Sequence, residues 1–361
     1  MTRTTDNPWL ARFALLTALA TLVLLCVGGL VTSHEAGMAV PDWPNTFGYN
    51  LFFFPISKWV GGVFYEHTHR LVASGVGLLT TILAVWLWLK ESRRWLRWLG
   101  VGAFLAVVLQ GVLGGLRVVL FKDEIGIFHA TLGQFFFLMT CAIALFTSRW
   151  WQKAPSLNSA GAEIKGLRRL FLLTTVLIFA QLILGATMRH QHAGLAIPDF
   201  PAAYGRLWPA TDAASIAGYN RNRVEVSAVN PITAFQIVLQ MAHRIMAVAI
   251  VLAVAVVAGL TRRRLHWQNP LSKISAAWFI LIMLQVFLGA ATIWTGKSAD
   301  IATAHVAGGA LSLMTGALLT ILAFHCPARR TRAAQPETDA TAAPSFVASP
   351  GIADNARQPA S

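Results

Sequence analysis

Ala36-Gly-Met-Ala-Val-Pro-Asp-Trp-Pro44 and Ala193-Gly-Leu-Ala-Ile-Pro-Asp-Phe-Pro201 are one segment written twice. Nine residues match in type at a constant offset, which identifies an internal duplication. The likeness continues at His69-Arg70 and His243-Arg244, and at Gln110-Gly-Val-Leu-Gly114 and Gln285-Val-Phe-Leu-Gly289. It extends to His129-Ala130 and His305-Val306, so the copies cover about 12–150 and 169–325.

What separates these segments is apolar. Of 361 residues, 56% are hydrophobic and 12% charged, against about 25% charged in soluble proteins. Runs near the ~20 residues needed to cross a bilayer occur at about 12–32, 69–89, 98–117, 128–148, 169–189, 233–260, 274–294 and 303–325. The first, Phe13 to Val31, exceeds the usual ~7–15-residue core of a signal peptide and is expected to be retained. The net charge of +14 sits in short clusters after even-numbered spans: Lys90/Arg93/Arg94/Arg97, Arg149/Lys153/Lys165/Arg168/Arg169, Arg262/Arg263/Arg264/Lys273 and Arg329/Arg330/Arg332. That is the positive-inside pattern and not a nucleic-acid face. It places both termini in the cytoplasm and the loops at 33–66 and 190–232 outside. The short N-terminus leaves no room for a transit peptide, pointing to a multi-pass protein of the bacterial cytoplasmic membrane. Cys26 and Cys141 lie in apolar runs and Cys326 at the end of one, so no disulfide framework is visible.

The expected fold is all-α and integral to the membrane: eight transmembrane helices as two tandem four-helix bundles. Each copy has an even number of spans and enters from the same side, so a pseudo-two-fold axis along the membrane normal relates them. Around the bundles lie a cytoplasmic N-terminus at 1–11, a cytoplasmic linker at 151–168, and a polar, disordered cytoplasmic tail at 326–361.

Four of the ten histidines, His69, His129, His243 and His305, sit at equivalent places near the outer ends of even-numbered spans. An imidazole within a membrane faces the bundle interior and has a partner. Two per bundle, at similar depth, suit axial ligation of one haem iron. Ala73, Gly133, Ala247 and Gly309 follow each histidine by four, a spacing that clears the same helix face for a flat macrocycle. Zinc fits less well, with no carboxylate or thiolate at ligand spacing. Arg70 and Arg244 are candidates for pairing haem propionates, with snorkelling to head groups as the alternative.

The copies differ at one chemically important place. Glu66 precedes His69 by three, where Gln240 precedes His243. A buried carboxylate beside an iron-bound ring can stabilise positive charge or move a proton, which assigns chemistry to the first half. His67 reads as a surface residue; His34, His190, His192, His266 and His325 read as solvated. Asp42 and Asp199 read as turn residues.

Together these motifs resemble those of the haem A synthase family. Glu66-His-Thr-His69-Arg70 is similar to its Glu-x-x-His-Arg motif, and His129-Ala-Thr-Leu-Gly, His243-Arg and Thr303-Ala-His305-Val-Ala-Gly-Gly309 to its other histidine motifs. The likeness covers about 12–325. It implies an oxidoreductase that converts a methyl of haem O to a formyl group, giving haem A for terminal oxidases. It further implies haem b on His243 and His305, substrate haem O on His69 and His129, and Glu66 assisting. Implied partners are the haem O synthase, terminal oxidase assembly and membrane lipid, with homo-oligomerisation open and no nucleic acid. Unlike some bacterial members, the outer loops hold no cysteine pair. A di-haem b-type cytochrome exchanging electrons with quinone, and a histidine-dependent transporter, remain alternatives on the residues alone.

Overall fold

The computed structural model describes residues 7–153, 161–223 and 231–325. Eight helices are long and apolar enough to cross a membrane: α1 (Pro8–Ser33), α2 (Gly61–Lys90), α3 (Arg94–Leu120), α4 (Asp123–Thr147), α6 (Gly161–His190), α8 (Ala234–Leu265), α9 (Pro270–Trp294) and α10 (Ala299–His325). Two short helices, α5 (Arg149–Lys153) and α7 (Ala213–Arg221), complete the set. The chain is a multi-pass, all-helical membrane protein. Every expected span is present, most of them lengthened by several residues at one or both ends. Hydropathy senses only the hydrocarbon layer, whereas a helix continues through the interface for as long as its backbone bonds are satisfied. α8, for example, runs on through Arg262, Arg263 and Arg264.

Starts are set by local chemistry. The Asn7 side chain accepts from the amides of Trp9 and Leu10 ahead of α1, with Pro8 in the first turn. Thr233 and Gln236 form a capping box on α8. Asn269 and Pro270 open α9 in the same way as Asn7 and Pro8.

In the first half α1 packs on α2 and α4, and α3 on α2 and α4; in the second, α6 packs on α8 and α10, and α9 on α8 and α10. The halves meet where α10 touches α1 and α4, and where α6 touches α4. The two larger apolar cores lie toward one end of these helices, and a smaller one, Ile197, Ala203, Ile237 and Met241, packs under the second loop. Leu10, Leu83, Leu87, Leu96 and Ile143 fill the first. Phe171, Val257, Leu271, Trp278 and Leu319 fill the second, where the Trp278 indole donates to the Ser312 carbonyl at 2.8 Å. The opposite end carries the long loops and all four repeated histidines.

The two long loops fold alike. Phe47-Gly48 and Tyr204-Gly205, all at positive φ, form two-residue turns closed by the Thr46–Tyr49 and Ala203–Arg206 bridges. Asp42 accepts from the Phe47 and Gly48 amides at 2.7 and 2.8 Å. Asp199 accepts from Tyr204 and Gly205 at the same distances. The turn role expected of both aspartates is what the geometry gives. The expected tail at 326–361, with Cys326, lies outside the described residues, as do 1–6 and the middle of the linker.

Candidate functional site

Each repeated histidine rests on a glycine of the neighbouring helix. A Cβ on Gly28 of α1 would meet His69 Cε1 at 3.1 Å, and on Gly114 of α3 His129 Cε1 at 3.3 Å. Gly185 of α6 faces His243 at 3.4 Å, and Gly289 of α9 faces His305 at 3.2 Å. Four glycines therefore make room for four rings at matching positions. Each of the four histidines is half-buried. Yet the Nδ1 atom of every one is shut away without a hydrogen-bond partner among the described residues. A buried polar atom left unpaired is costly, and that cost recurs at all four repeated rings. The His243 and His305 ring centroids are 6.5 Å apart. Two imidazoles held at about 2 Å on opposite sides of one metal ion bring their centroids to roughly 6–6.5 Å. His69 and His129 make no such ring contact, though they lie within Coulombic reach of each other. Among the described residues no three His, Cys, Asp or Glu side chains converge.

Glutamines brace the backbone at two of these histidines. Gln110 Nε2 donates to the His129 carbonyl at 3.0 Å, and Gln181 Nε2 to the His243 carbonyl at 2.9 Å. Of the small residues four beyond the histidines, Gly133 lies against Gln110 and Leu25, and Gly309 against Leu182.

Glu66 and Gln240 are buried under their loops and grip the same point of each. Glu66 Oε2 accepts from the Val40 amide at 2.8 Å; Gln240 Oε1 accepts from the Ile197 amide at 2.7 Å. The arginines that follow are loop anchors too. Arg70 donates to the carbonyls of Asp42 (2.7 Å), Asn45 (2.8 Å) and Val40 (3.0 Å), and pairs with Glu66 at 2.7 Å. Arg244 donates to the carbonyls of Asp199 (2.7 Å) and Ala202 (2.8 Å), and its Nε has no hydrogen-bond partner among the described residues. Burial pushes the Asp42 carboxyl up, but the Gly48 and Phe47 amides and the Arg70 charge outweigh it, and its pKa falls below the ordinary value.

Two histidines sit elsewhere than the sequence indicates. His67 is buried, not at the surface: its Nδ1 lies 3.1 Å from Thr46 Oγ1 and its ring packs on Trp59 and Phe54. His190 is buried as well, against Gly126 where the halves meet. Both lie close to a helix end, where hydropathy cannot tell a ring turned under a loop from one turned to water. His34, His192, His266 and His325 are exposed. Beside His190, Arg189 crosses between the halves, donating to the Gly29 carbonyl at 2.9 Å and to Ser33 Oγ at 2.8 Å.

A family model described as cytochrome oxidase assembly protein, COX15-CtaA, matches residues 49–317. The chain is similar to the haem A synthase of Geobacillus kaustophilus, 27% identical over 311 residues, or 81% of this chain and 84% of the relative. It is 24% identical to that of Shewanella oneidensis over 338 residues, covering 88% and 96%. With the haem A synthase of Halalkalibacterium halodurans it shares 29% over 202 residues, 55% of this chain and 65% of the relative, just under two thirds of its length. The family match spans well over half the chain and includes all four glycine-seated histidines, and the chain belongs to the COX15-CtaA family of cytochrome oxidase assembly proteins.

Proposed function

We propose that the protein is an oxidoreductase that converts a methyl group of haem O to a formyl group, yielding haem A for terminal oxidases. The observation that carries this is the set of four repeated imidazoles, each seated on a glycine of the neighbouring helix, with the His243 and His305 ring centroids 6.5 Å apart. Relatives named haem A synthase, aligned along most of the chain, support it. His243 and His305, already at bis-imidazole spacing, hold a resident haem b. His69 and His129 hold the substrate haem O. The halves are read as parallel repeats about an axis along the membrane normal, supported by the same cyclic packing of four helices in each.

Bound haem supplies the redox chemistry; the protein supplies position, field and exclusion of water. Glu66, three residues before His69 and buried, contributes fixed negative charge beside the substrate. Positive charge developing next to the macrocycle is stabilised more strongly there than in water. Arg70 and Arg244 add positive charge toward the propionates while keeping the loops closed. The loop end faces outward, because the basic residues that follow α2 and α4 and close α8 take the cytoplasmic side of a bacterial cytoplasmic membrane. The haem O synthase and the oxidase assembly machinery are the proposed partners in supply and delivery.

Purified protein should be coloured, with protohaem and haem O or A among extracted pigments. A colourless protein, or pigments containing no prenylated haem after incubation with haem O, would overturn the assignment. A di-haem cytochrome would instead show two non-exchangeable haems and no formyl pigment.

A further inference from the structure

At the hairpin joining α2 to α3 lies a cavity of about 200 Å³ lined by Trp88, Arg94, Arg97 and Trp98. Arg94, Arg97 and Trp98 stand at i, i+3 and i+4, so one face at the start of α3 carries all three. Trp88 joins them from the last turn of α2. The Arg97 guanidinium lies over the Trp88 ring, its Cζ 5.8 Å from the centroid. The two indoles meet edge to face at 5.6 Å. Both are about half exposed, at the end of the apolar spans, where tryptophan marks the membrane–water boundary.

The charge there is unbalanced. Residues 88–98 hold four cations, Lys90, Arg93, Arg94 and Arg97, and one acid, Glu91. Arg93 takes that acid: its amide and Nε reach one carboxylate oxygen at 3.0 and 2.9 Å, and its Nη2 the other at 2.9 Å. Neither cavity arginine forms an ion pair among the described residues. The Nε of Arg97 is also buried without a hydrogen-bond partner among them. The first turn of α3 has no acid, so two like charges share a helix face at the end whose dipole is already positive. Like-charge repulsion, the dipole and the unpaired Nε all favour one anion there. Basic residues of the second half are used differently. Arg168 of α6 donates to the Ala323 carbonyl of α10 at 2.8 Å, and Arg264 of α8 packs on Gly166 of α6.

We infer that this cavity binds the phosphate of an anionic phospholipid head group. Two guanidiniums offer planar donor forks matched to a phosphodiester. The indoles supply the apolar flank that the glycerol backbone and first acyl carbons require. At about 200 Å³ the space falls below the ~300–1,000 Å³ of drug-sized sites, which suits a head group whose chains stay in the bilayer. In the orientation proposed above the hairpin is cytoplasmic, the side on which juxtamembrane basic clusters meet anionic lipid; the inference otherwise stands apart from the haem chemistry.

The test is a tryptophan-quenching titration of the full chain in neutral detergent, with phosphatidylglycerol and phosphatidylcholine brominated on their acyl chains. Phosphatidylglycerol should quench saturably and at lower concentration than phosphatidylcholine. Arg94→Gln and Arg97→Gln should each weaken it about fivefold, the effect of one basic residue near the surface, and the double variant about 25-fold. Arg262→Gln is the control, since Arg262 likewise lies over an indole, that of Trp267, at the end of α8; it should leave the binding unchanged. The Arg94 side chain is exposed, so Arg94→Gln should keep the parental thermal midpoint and separate lost binding from lost fold. A parent without preference, or a double variant that binds phosphatidylglycerol as the parent does, would overturn the site. So would an equal loss in Arg262→Gln, which would mean a diffuse attraction of basic helix ends for anionic lipid. Displacement by inorganic phosphate at equal concentration would make this a site for the free ion and overturn the head-group assignment.

Discussion

The two halves hold their loops by the same grip with different hands. In each, an arginine one turn beyond the clamp residue takes two carbonyls, Asp42 and Asn45 or Asp199 and Ala202. In each, an acceptor side chain takes one amide, Val40 or Ile197. The difference is the donor to the carbonyl at that same residue. Gln240 supplies its own, donating to Ile197 at 3.1 Å and Gly194 at 3.3 Å. A carboxylate cannot donate, so in the first half Arg70 serves Val40 and Glu66 together. A glutamine would have closed both loops equally well. The first half therefore carries a buried charge that loop closure does not require, at some desolvation cost, beside the bundle assigned to the substrate.

The largest effect expected is from removing the ligands of the half that lacks this charge. His243→Ala with His305→Ala should abolish the resident pigment, and retention of its absorption band after purification would refute bis-imidazole ligation there. Next, Glu66→Gln copies the second half into the first. The Val40 grip should survive and the resident haem remain, while conversion of haem O falls about 100-fold, the scale of removing one preorganised electrostatic partner. Parental turnover in that variant would show that Glu66 is only a clamp.

The glycine seats allow a finer comparison. A methyl on Gly28 would sit 3.1 Å from His69, tighter than ordinary contact, whereas on Gly185 it would sit 3.4 Å from His243. An iron-bound ring cannot retreat freely. Gly28→Ala should therefore weaken haem binding in the first bundle by about 1–3 kcal/mol, the usual cost of overpacking, and Gly185→Ala should leave the resident haem nearly untouched. Equal losses would mean that the seats are not matched to the rings as the distances indicate.

Much of this was legible beforehand because lipid makes the code simple. With no water to satisfy the backbone, a span must be a helix, and apolar length alone reports it. The four histidines stood out because duplication repeats a functional residue while drift erases others. What escaped was everything that depends on one element meeting another. Gly28 and Gly185 belong to no motif; each matters only through a ring on the next helix. The tie from Glu66 to Val40 spans 26 residues and follows no helical period. Asp42 looked like a turn former and is one, but Arg70 beneath it read as a propionate partner or a snorkelling side chain, not as the holder of three loop carbonyls. The helix α7 was missed although Asp212 accepts from the Ser215 amide at its start, because nine mostly polar or small residues give no apolar stripe.

The smallest expected effect comes from the reverse exchange. Gln240→Glu keeps the acceptor for the Ile197 amide and removes two donors, leaving the Ile197 and Gly194 carbonyls unserved. In the first half the arginine covers that loss, and Arg244 is placed to do likewise: it follows by four residues, as Arg70 follows Glu66, and has an unpartnered Nε. Its swing toward the new carboxylate should reduce the deficit to about one net hydrogen bond, or ~1 kcal/mol. The thermal midpoint followed through the resident pigment should then fall by only about 2–4 °C. Combining Gln240→Glu with Arg244→Ala removes the compensating cation and strands a buried charge, for which about 3–5 kcal/mol is expected. A double variant no less stable than the sum of the two single ones would show that the grips are not interchangeable, and that the carboxylate in the first half depends on more than its arginine.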